Sequence, residues 1–338
     1  MVASLLPTVR DVAQLAGVSP GTVSKALNGR GQLRDETRRR VQAAADQLGF
    51  RPNQLAKSLI EGRSYTVGVL TSDSFGRFTM PLMMGIENSL GAGQVSTMLC
   101  DSRADPVRER HYLHDLLSRR VDGLVVTGRK PDPRRSLGRL PIPVVYALTQ
   151  SEDPADLSLT YDDAQGAELA IRHLLSLGRK RIAYVGGPPR HLSTRLRQQG
   201  AERALLSAGL TLDPQDVLVA EWSEVWGRSA AGLLTRRSPA ERVDAVFCGS
   251  DQIARGVADG LRDVGLAVPD EIAIVGFDNW DVMVEGARPP LTTIDPNLTL
   301  LGQLAASRLL TAIDGGELGS GLVLQRCDLV IRQSSVPH

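Results

Sequence analysis

The chain has 338 residues, of which 42% are hydrophobic and 23% charged, with a formal net charge of +1. The length exceeds what one hydrophobic core sustains, so at least two domains are expected, and the composition excludes a disordered chain. The absence of an apolar run of about 18 residues excludes a membrane-spanning helix, and Met1–Pro7 lacks the basic and apolar regions of a signal peptide, so a cytoplasmic location is expected.

The charge is unevenly placed. Residues 1–63 carry ten Lys/Arg against five Asp/Glu, and the remainder 29 against 33. A basic head on a slightly acidic body points to a polyanion as the head's partner. Within it, residues 8–50 predict three short helices. Thr8 is placed to cap Val9–Ala16, whose Val12, Ala13 and Ala16 share a face, and Gly17 can end it with positive φ. Ser19 and Pro20 then open a second helix to about Leu27, with Val23, Ala26 and Leu27 inward. After the loop Asn28–Gly31 a third helix is expected from about Asp35 to Leu48. Asp35 and Glu36 suit its positive end, and Gly49 closes it. Arg51-Pro52-Asn53 reads as an extended joint, and Gln54–Glu61 as a segment weakly helical at best, about two turns long and marginal by itself.

From Tyr65 the pattern alternates apolar strands with amphipathic helices. Strands are predicted at Thr66–Leu70, Val95–Leu99, Gly123–Thr127, Val144–Ala147, Arg181–Gly186, Ala245–Cys248 and Ile272–Gly276. Helices fall between them, including Pro106–Arg119, Ala164–Leu177 and Gln252–Val264. This alternation predicts α/β units with parallel sheets, which bind ligands beyond the carboxyl ends of their strands. Polar residues follow several strands there, among them Ser72-Asp73, Ser250-Asp251 and Asp278-Asn279. The well-separated cysteines Cys100, Cys248 and Cys327 read as reduced, buried small hydrophobes.

The segment Val9–Asn28 has the anatomy of a helix-turn-helix. Ala13 lets two helices cross closely, Gly17 makes the turn and Val18 plugs the joint. The exposed face of the second helix carries Ser19, Thr22, Ser24, Lys25 and Asn28, groups suited to phosphates and to base edges in a major groove. These residues, with Asp11-Val12-Ala13, Ala16-Gly17-Val18-Ser19, Thr22-Val23-Ser24, Leu48-Gly49-Phe50, Pro52-Asn53 and Ala56…Leu59, resemble the lactose-repressor/galactose-repressor (LacI/GalR) family. The resemblance continues through Arg119-Arg120-Val121-Asp122-Gly123, Val275-Gly276-Phe277-Asp278 and Pro290-Leu291-Thr292-Thr293-Ile294.

The resemblance implies an all-α helix-turn-helix head (1–50), a hinge helix or linker (51–63) and an α/β, two-lobed sensor with parallel sheets, like a periplasmic binding protein (64–338). The N-terminal lobe would be about 64–161 plus 292–321, and the C-terminal lobe about 162–291 plus 322–338. The implied partners are double-stranded operator DNA, a second copy in a homodimer and a sugar-like effector; no cofactor or metal is implied. Base reading falls on Pro20, Gly21, Lys25 and Gln32. Phosphate contacts fall on Thr8, Ser19, Thr22, Ser24 and Asn28. In the linker, capped by Asn53, Ala56 is the small residue where two hinge helices approach, and Leu59 is the wedge that enters the minor groove. The alternative for Leu59 is a core leucine packed on the sensor lobe. The chain departs from the family at Pro20-Gly21, which offers almost no side-chain hydrogen bonds, and at Arg34, which replaces a serine cap and gains a possible phosphate contact.

In the body, His111 and His114 share a helix face without other ligands at metal-binding spacing, so a solvated face is expected. There is no GxSxG, P-loop or HExxH, and no catalytic constellation is expected. An enzyme on this α/β scaffold is disfavoured on that ground, and a transport-linked solute-binding protein by the basic head. The effector positions implied by the resemblance are Phe78, Tyr161, Arg197, Trp222, Ser250 and Asp278, a set able to hold a polyol. The alternative for Phe78 and Tyr161 is a place in the core, for Asp278 a helix cap, and Arg195 competes with Arg197. Gly76-Arg77-Phe78-Thr79 stands where many relatives have Asn-Pro-Phe-Phe, and Leu148 replaces an acidic residue of some sugar-sensing relatives.

Overall fold

The computed structural model describes residues 7–27, 32–51, 62–91, 95–236, 238 and 242–336. The chain divides into two compact units, before and after the junction of Tyr65 and Thr66. The expected loop at 28–31 and most of the linker, with Asn28, Asn53, Ala56 and Leu59, lie outside the described residues.

The first unit contains α1 (Val9–Ala16), α2 (Pro20–Leu27) and α3 (Asp35–Leu48). A capping box opens α1: the Asp11 N–H donates to Thr8 Oγ1, and the Thr8 N–H donates to Asp11 Oδ2 at 2.7 Å. Gly17 ends α1 at φ 61°, and Gly49 ends α3 at φ 62°. Both take the left-handed conformation that costs glycine least. At Arg34, the N-cap of α3, no side-chain cap bond forms. Val12, Ala13, Ala16, Val23, Ala26, Val41, Ala44 and Ala45 make one small core, with Val18 and Leu27 packed on it. The small side chains let three short helices approach closely.

The second unit has two six-stranded sheets. In chain order the elements are β1 (Thr66–Thr71), α4 (Thr79–Gly91), β2 (Ser96–Asp101), α5 (Pro106–Ser118), β3 (Gly123–Thr127), β4 (Pro133–Arg134), β5 (Val144–Ala147), β6 (Gln150–Ser151), β7 (Leu157–Tyr161), α6 (Asp163–Ser176), β8 (Ile182–Gly186), α7 (Leu192–Ser207), β9 (Val217–Val219), α8 (Glu224–Leu234), β10 (Ala245–Cys248), α9 (Asp251–Asp263), β11 (Ala273–Phe277), α10 (Asp281–Val284), β12 (Thr292–Asp295), α11 (Leu298–Ile313), β13 (Gly321–Gln325) and β14 (Asp328–Val330). The first sheet runs β13-β7-β5-β3-β1-β2 with parallel pairs. The second runs β14-β12-β11-β10-β8-β9, parallel except for β14 against β12. A small ladder joins β4 to β6. Strands such as β3, β8 and β11 are buried along their whole length, which explains their continuous apolar runs.

The chain passes between the sheets after Tyr161, after Asp295 and after Gln325. This moves two lobe boundaries read from the sequence. Strand β12 belongs to the C-terminal sheet, so that lobe extends past 291 to Asp295; β13 pairs with β7, so the N-terminal lobe reaches past 321 to Gln325. The sequence reading placed the crossings at Leu291 and Gly321, but ladder pairing, which has no local sequence signature, carries each strand further. An apolar cluster continues through the crossings, with the Tyr161 and Phe277 rings 6.1 Å apart.

Helices α4 and α11 pack together over the N-terminal sheet. They touch backbone to backbone at a glycine pair: a Cβ on Gly85 would lie 1.9 Å from the Thr299 carbonyl oxygen, and one on Gly302 would lie 2.1 Å from that of Leu82. Gly85→Ala must force the helices apart and is expected to destabilise the protein by about 1–3 kcal/mol, the usual cost of overpacking. Gly91→Ala, where an added Cβ meets nothing within 4 Å, is the control. Thermal unfolding of the two variants checks this; equal midpoints would refute it.

Candidate functional site

In the first unit, α2 buries Val23 and Ala26 and turns its other face to solvent. Ser19, Pro20, Gly21, Ser24 and Lys25 are exposed there, and Thr22 is half-buried. Ser19 opens the helix, its Oγ accepting the Thr22 N–H at 3.1 Å while pairing with Thr22 Oγ1 at 2.9 Å. The start of α2 thus offers backbone N–H groups and two hydroxyls, a suitable seat for a phosphate. Gln32 and Arg34 are also exposed. Thr8 is exposed, but its hydroxyl donates to Asp11 Oδ2 at 2.7 Å. That bond, then the Thr8 backbone N–H, holds Asp11 below its ordinary carboxylate value.

In the second unit, a cavity of about 450 Å³ opens between the lobes. Phe78, Tyr161, Arg197, Trp222, Ser250 and Asp278 all line it. Trp222 lies beside His191, their rings stacked with centroids 6.2 Å apart, and its Nε1–H donates to His191 Nδ1 at 2.8 Å. Ser250 caps α9 by accepting the Ile253 N–H. Asp278 does not cap the following helix, whose N-cap is Trp280. Arg195 points away, donating to the Arg190 and Pro189 carbonyls, so Arg197 is the arginine of the cavity.

Arg197 is 3% exposed, so its charge must be answered by the protein. Its Nε donates to Asp163 Oδ1 at 2.6 Å, Nη1 to the Gly249 carbonyl and Nη2 to Tyr161 Oη at 3.3 Å. The guanidinium lies 3.5 Å from the centre of the Phe277 ring, and Asp278 Oδ1 is 3.8 Å from Nη1. Burial pushes Asp163 up to about 6 against the opposing pull of Arg197.

Several contributors escaped the sequence reading. Arg77, noticed only as a departure from Asn-Pro-Phe-Phe, reaches across the cleft. It donates to Gln252 Oε1 at 2.8 Å and pairs with Asp278, and its guanidinium lies 4.7 Å from the Phe78 ring and 4.3 Å from the Trp280 ring. Asp132 makes a second bridge, accepting the Leu192 N–H at the start of α7 at 3.2 Å. Asp163, which follows Asp162 past the end of β7, went unremarked, and Asp251 was named only as a polar residue beyond a strand, without a role. Among the described residues, no three or more His, Cys, Asp or Glu side chains are grouped to hold a metal.

Asp251, fully buried, accepts from Thr293 Oγ1 at 2.5 Å and from the Trp280 N–H at 2.8 Å. Burial, then the neighbouring charge of Asp278, pushes it up to about 8 from 3.8. The stability linked to this raised value is complete below the unfolded-state value and is lost as pH rises toward the folded-state value. The wild-type protein is therefore expected to lose stability as pH rises from about 4 toward about 8. Asp251→Asn, a mimic of the protonated acid, should flatten that slope. Parallel slopes in thermal unfolding across this window would refute the assignment.

Residues 8–53 match the family model for bacterial regulatory proteins of the lacI family, and residues 171–335 match that for a periplasmic binding protein-like domain. The chain is 31% identical over 334 residues to catabolite control protein A of Priestia megaterium, covering 97% of this chain and 99% of that protein. It is 32% identical over 311 residues to the ribose operon repressor of Escherichia coli strain K12, covering 91% and 93%. Its fold is similar to that of the lac repressor dimer bound to operator and the anti-inducer ONPF, with a TM-score of 0.78 and 27% identity over 98% of this chain and 100% of that one. No helix among the described residues is long and apolar enough to cross a membrane. On this similarity along almost its whole length, and on the head and two-lobed body described above, the chain belongs to the LacI family of bacterial transcription regulators.

Proposed function

We propose that the protein is a cytoplasmic transcription repressor that binds a palindromic operator as a homodimer, with its DNA affinity controlled by a sugar or sugar derivative held between the lobes. One observation carries this reading: a helix-turn-helix with an exposed polar face and a cleft lined from both lobes occur on one chain. A two-fold dimer presents two heads to two half-sites. A ligand that binds one arrangement of the lobes better than another shifts the balance between them, and the heads respond to that balance.

In this reading Lys25 and Gln32 supply the side-chain base contacts, since Pro20 and Gly21 have no polar side-chain atom. Ser19, Thr22, Ser24 and Arg34, with Thr8 and Asn28, hold phosphates. Asn53, Ala56 and Leu59 act in the linker, Leu59 as the wedge. Phe78 and Trp222 offer faces to a ring, while Ser250, Arg197, Tyr161 and Asp278 provide polar groups around it. The groups that carry the function bind and orient, and none needs to react.

Operator affinity should fall steeply with salt, because phosphate contacts release counterions. Lys25→Ala should weaken operator binding about 10- to 100-fold, the span of a good base contact, and weaken random DNA far less. Leu59→Ala should likewise spare random DNA. Fluorescence anisotropy on both DNAs checks this, and equal losses on the two would refute base reading and wedge alike. Trp222→Ala should abolish the ligand's effect on operator affinity while leaving unliganded binding in place; a retained response would move the effector out of this cleft.

A further inference from the structure

The cations that face the cleft are all ion-paired, but their partners lie in different places. Arg129 stands 3.8 Å from Asp73, Lys130 3.6 Å from Asp132 and Arg197 2.6 Å from Asp163, each within its own lobe. Arg77 instead leaves the N-terminal lobe and pairs with Asp278 of the C-terminal lobe. Among the described residues, it is the one cation of the cleft whose carboxylate belongs to the opposite lobe.

Both ends of this bridge are firmly set. Arg77 sits in the turn between β1 and α4, where Gly76 takes φ 72°. Buried Asp73 braces that turn, accepting the Phe78 N–H at 2.9 Å and the Thr79 N–H at 3.1 Å. On the far side Asp278 is held at φ 107°, a conformation that a residue with a side chain keeps only where its surroundings enforce it. Strain of this kind collects at ligand clamps and switch regions.

Three groups of the C-terminal lobe receive the guanidinium. Gln252 Oε1 accepts from Nη1 at 2.8 Å, Asp278 pairs with Nη2, and the Trp280 ring lies 4.3 Å from the guanidinium carbon. The paired side chains are 14% and 7% exposed. With the lobes together each charge is answered by the other; with the lobes apart water answers both. Removing Arg77 takes away this choice. Asp278, already beside the buried Asp251, would then lose its partner in the closed arrangement, and the closed arrangement would become the costlier one.

We propose that Arg77 is the latch of the unliganded cleft: docked on Asp278, Gln252 and Trp280, it holds the two lobes together and sets the balance between their arrangements. This rests on the cleft being the effector site, and it names the contact through which that site is regulated. Leu192 reports the state of the latch. Its N–H lies in the first turn of α7, where the helix itself supplies no acceptor, and it donates across the cleft to Asp132 Oδ1. Its protection therefore depends on the lobes staying together. The Val107 N–H, in the first turn of α5, is the matched control, because it donates at 2.7 Å to Asp105 Oδ1 of its own lobe.

Residue-resolved amide hydrogen exchange on the full, unliganded chain tests this. Arg77→Ala is expected to speed exchange at Leu192 about fivefold or more, the lower end of a typical coupling between sites, while Val107 keeps its wild-type rate. Gln252→Ala cuts the same contact from the other lobe and should speed Leu192 in the same direction by a smaller factor. Unchanged exchange at Leu192 in Arg77→Ala, or an equal rise at Leu192 and Val107, would overturn the latch. Operator affinity of the same unliganded variant separates the latch from the wider reading. Faster exchange at Leu192 with operator affinity shifted about fivefold or more supports both. Faster exchange with operator affinity unchanged supports the latch and overturns control of the heads by the lobes.

Discussion

A guanidinium buried to 3% exposure organises the cleft-facing side of the second unit. Removing an arginine from water costs several kcal/mol unless its charge and donors are met, and Arg197 meets them through groups that arrive from separate elements. Asp163 comes from the start of α6, Gly249 from the turn after β10, Tyr161 from the end of β7, and Phe277 and Asp278 from the end of β11. The carboxyl ends of strands from both sheets are thereby tied to one cation. The tie falls where the chain first passes from one lobe to the other, so the floor of the cleft and the joint between lobes are one structure.

Around this fixed floor the walls are held by weaker links. Arg77 reaches from the N-terminal lobe to Gln252 and Asp278, and Asp132 reaches to the start of α7. These bridges are polar and few, so a ligand that replaces or reinforces them can shift the lobes by a few kcal/mol. That is the scale at which a two-state element responds to a ligand. The raised values of Asp163 and Asp251 follow from the same arrangement, since acids and bases are gathered in a small volume shielded from water.

Local chemistry made much of this legible. The ends of α1 and α3 were readable because a capping threonine and two left-handed glycines act within a few residues. Strands β3, β5 and β10 matched their predicted ranges because a buried parallel strand writes a continuous apolar run. The resemblance placed six side chains that all line one cavity. The reading failed where partners lie far apart in the chain. Nothing near Arg77 announces Asp278, and nothing near β12 or β13 says which sheet will receive it.

The sequence alone determined the order of elements, the boundaries of the head's helices, the polar face of α2 and the residue types at the strand ends, because each depends on neighbours within about one helical turn or one strand. The tertiary structure decided which strand joined which sheet, that Arg197 and not Arg195 turned inward, and that Arg77 crossed the cleft to neutralise Asp278. Those outcomes depend on burial and on charge pairing between groups as much as 201 residues apart, which only the folded chain brings within reach.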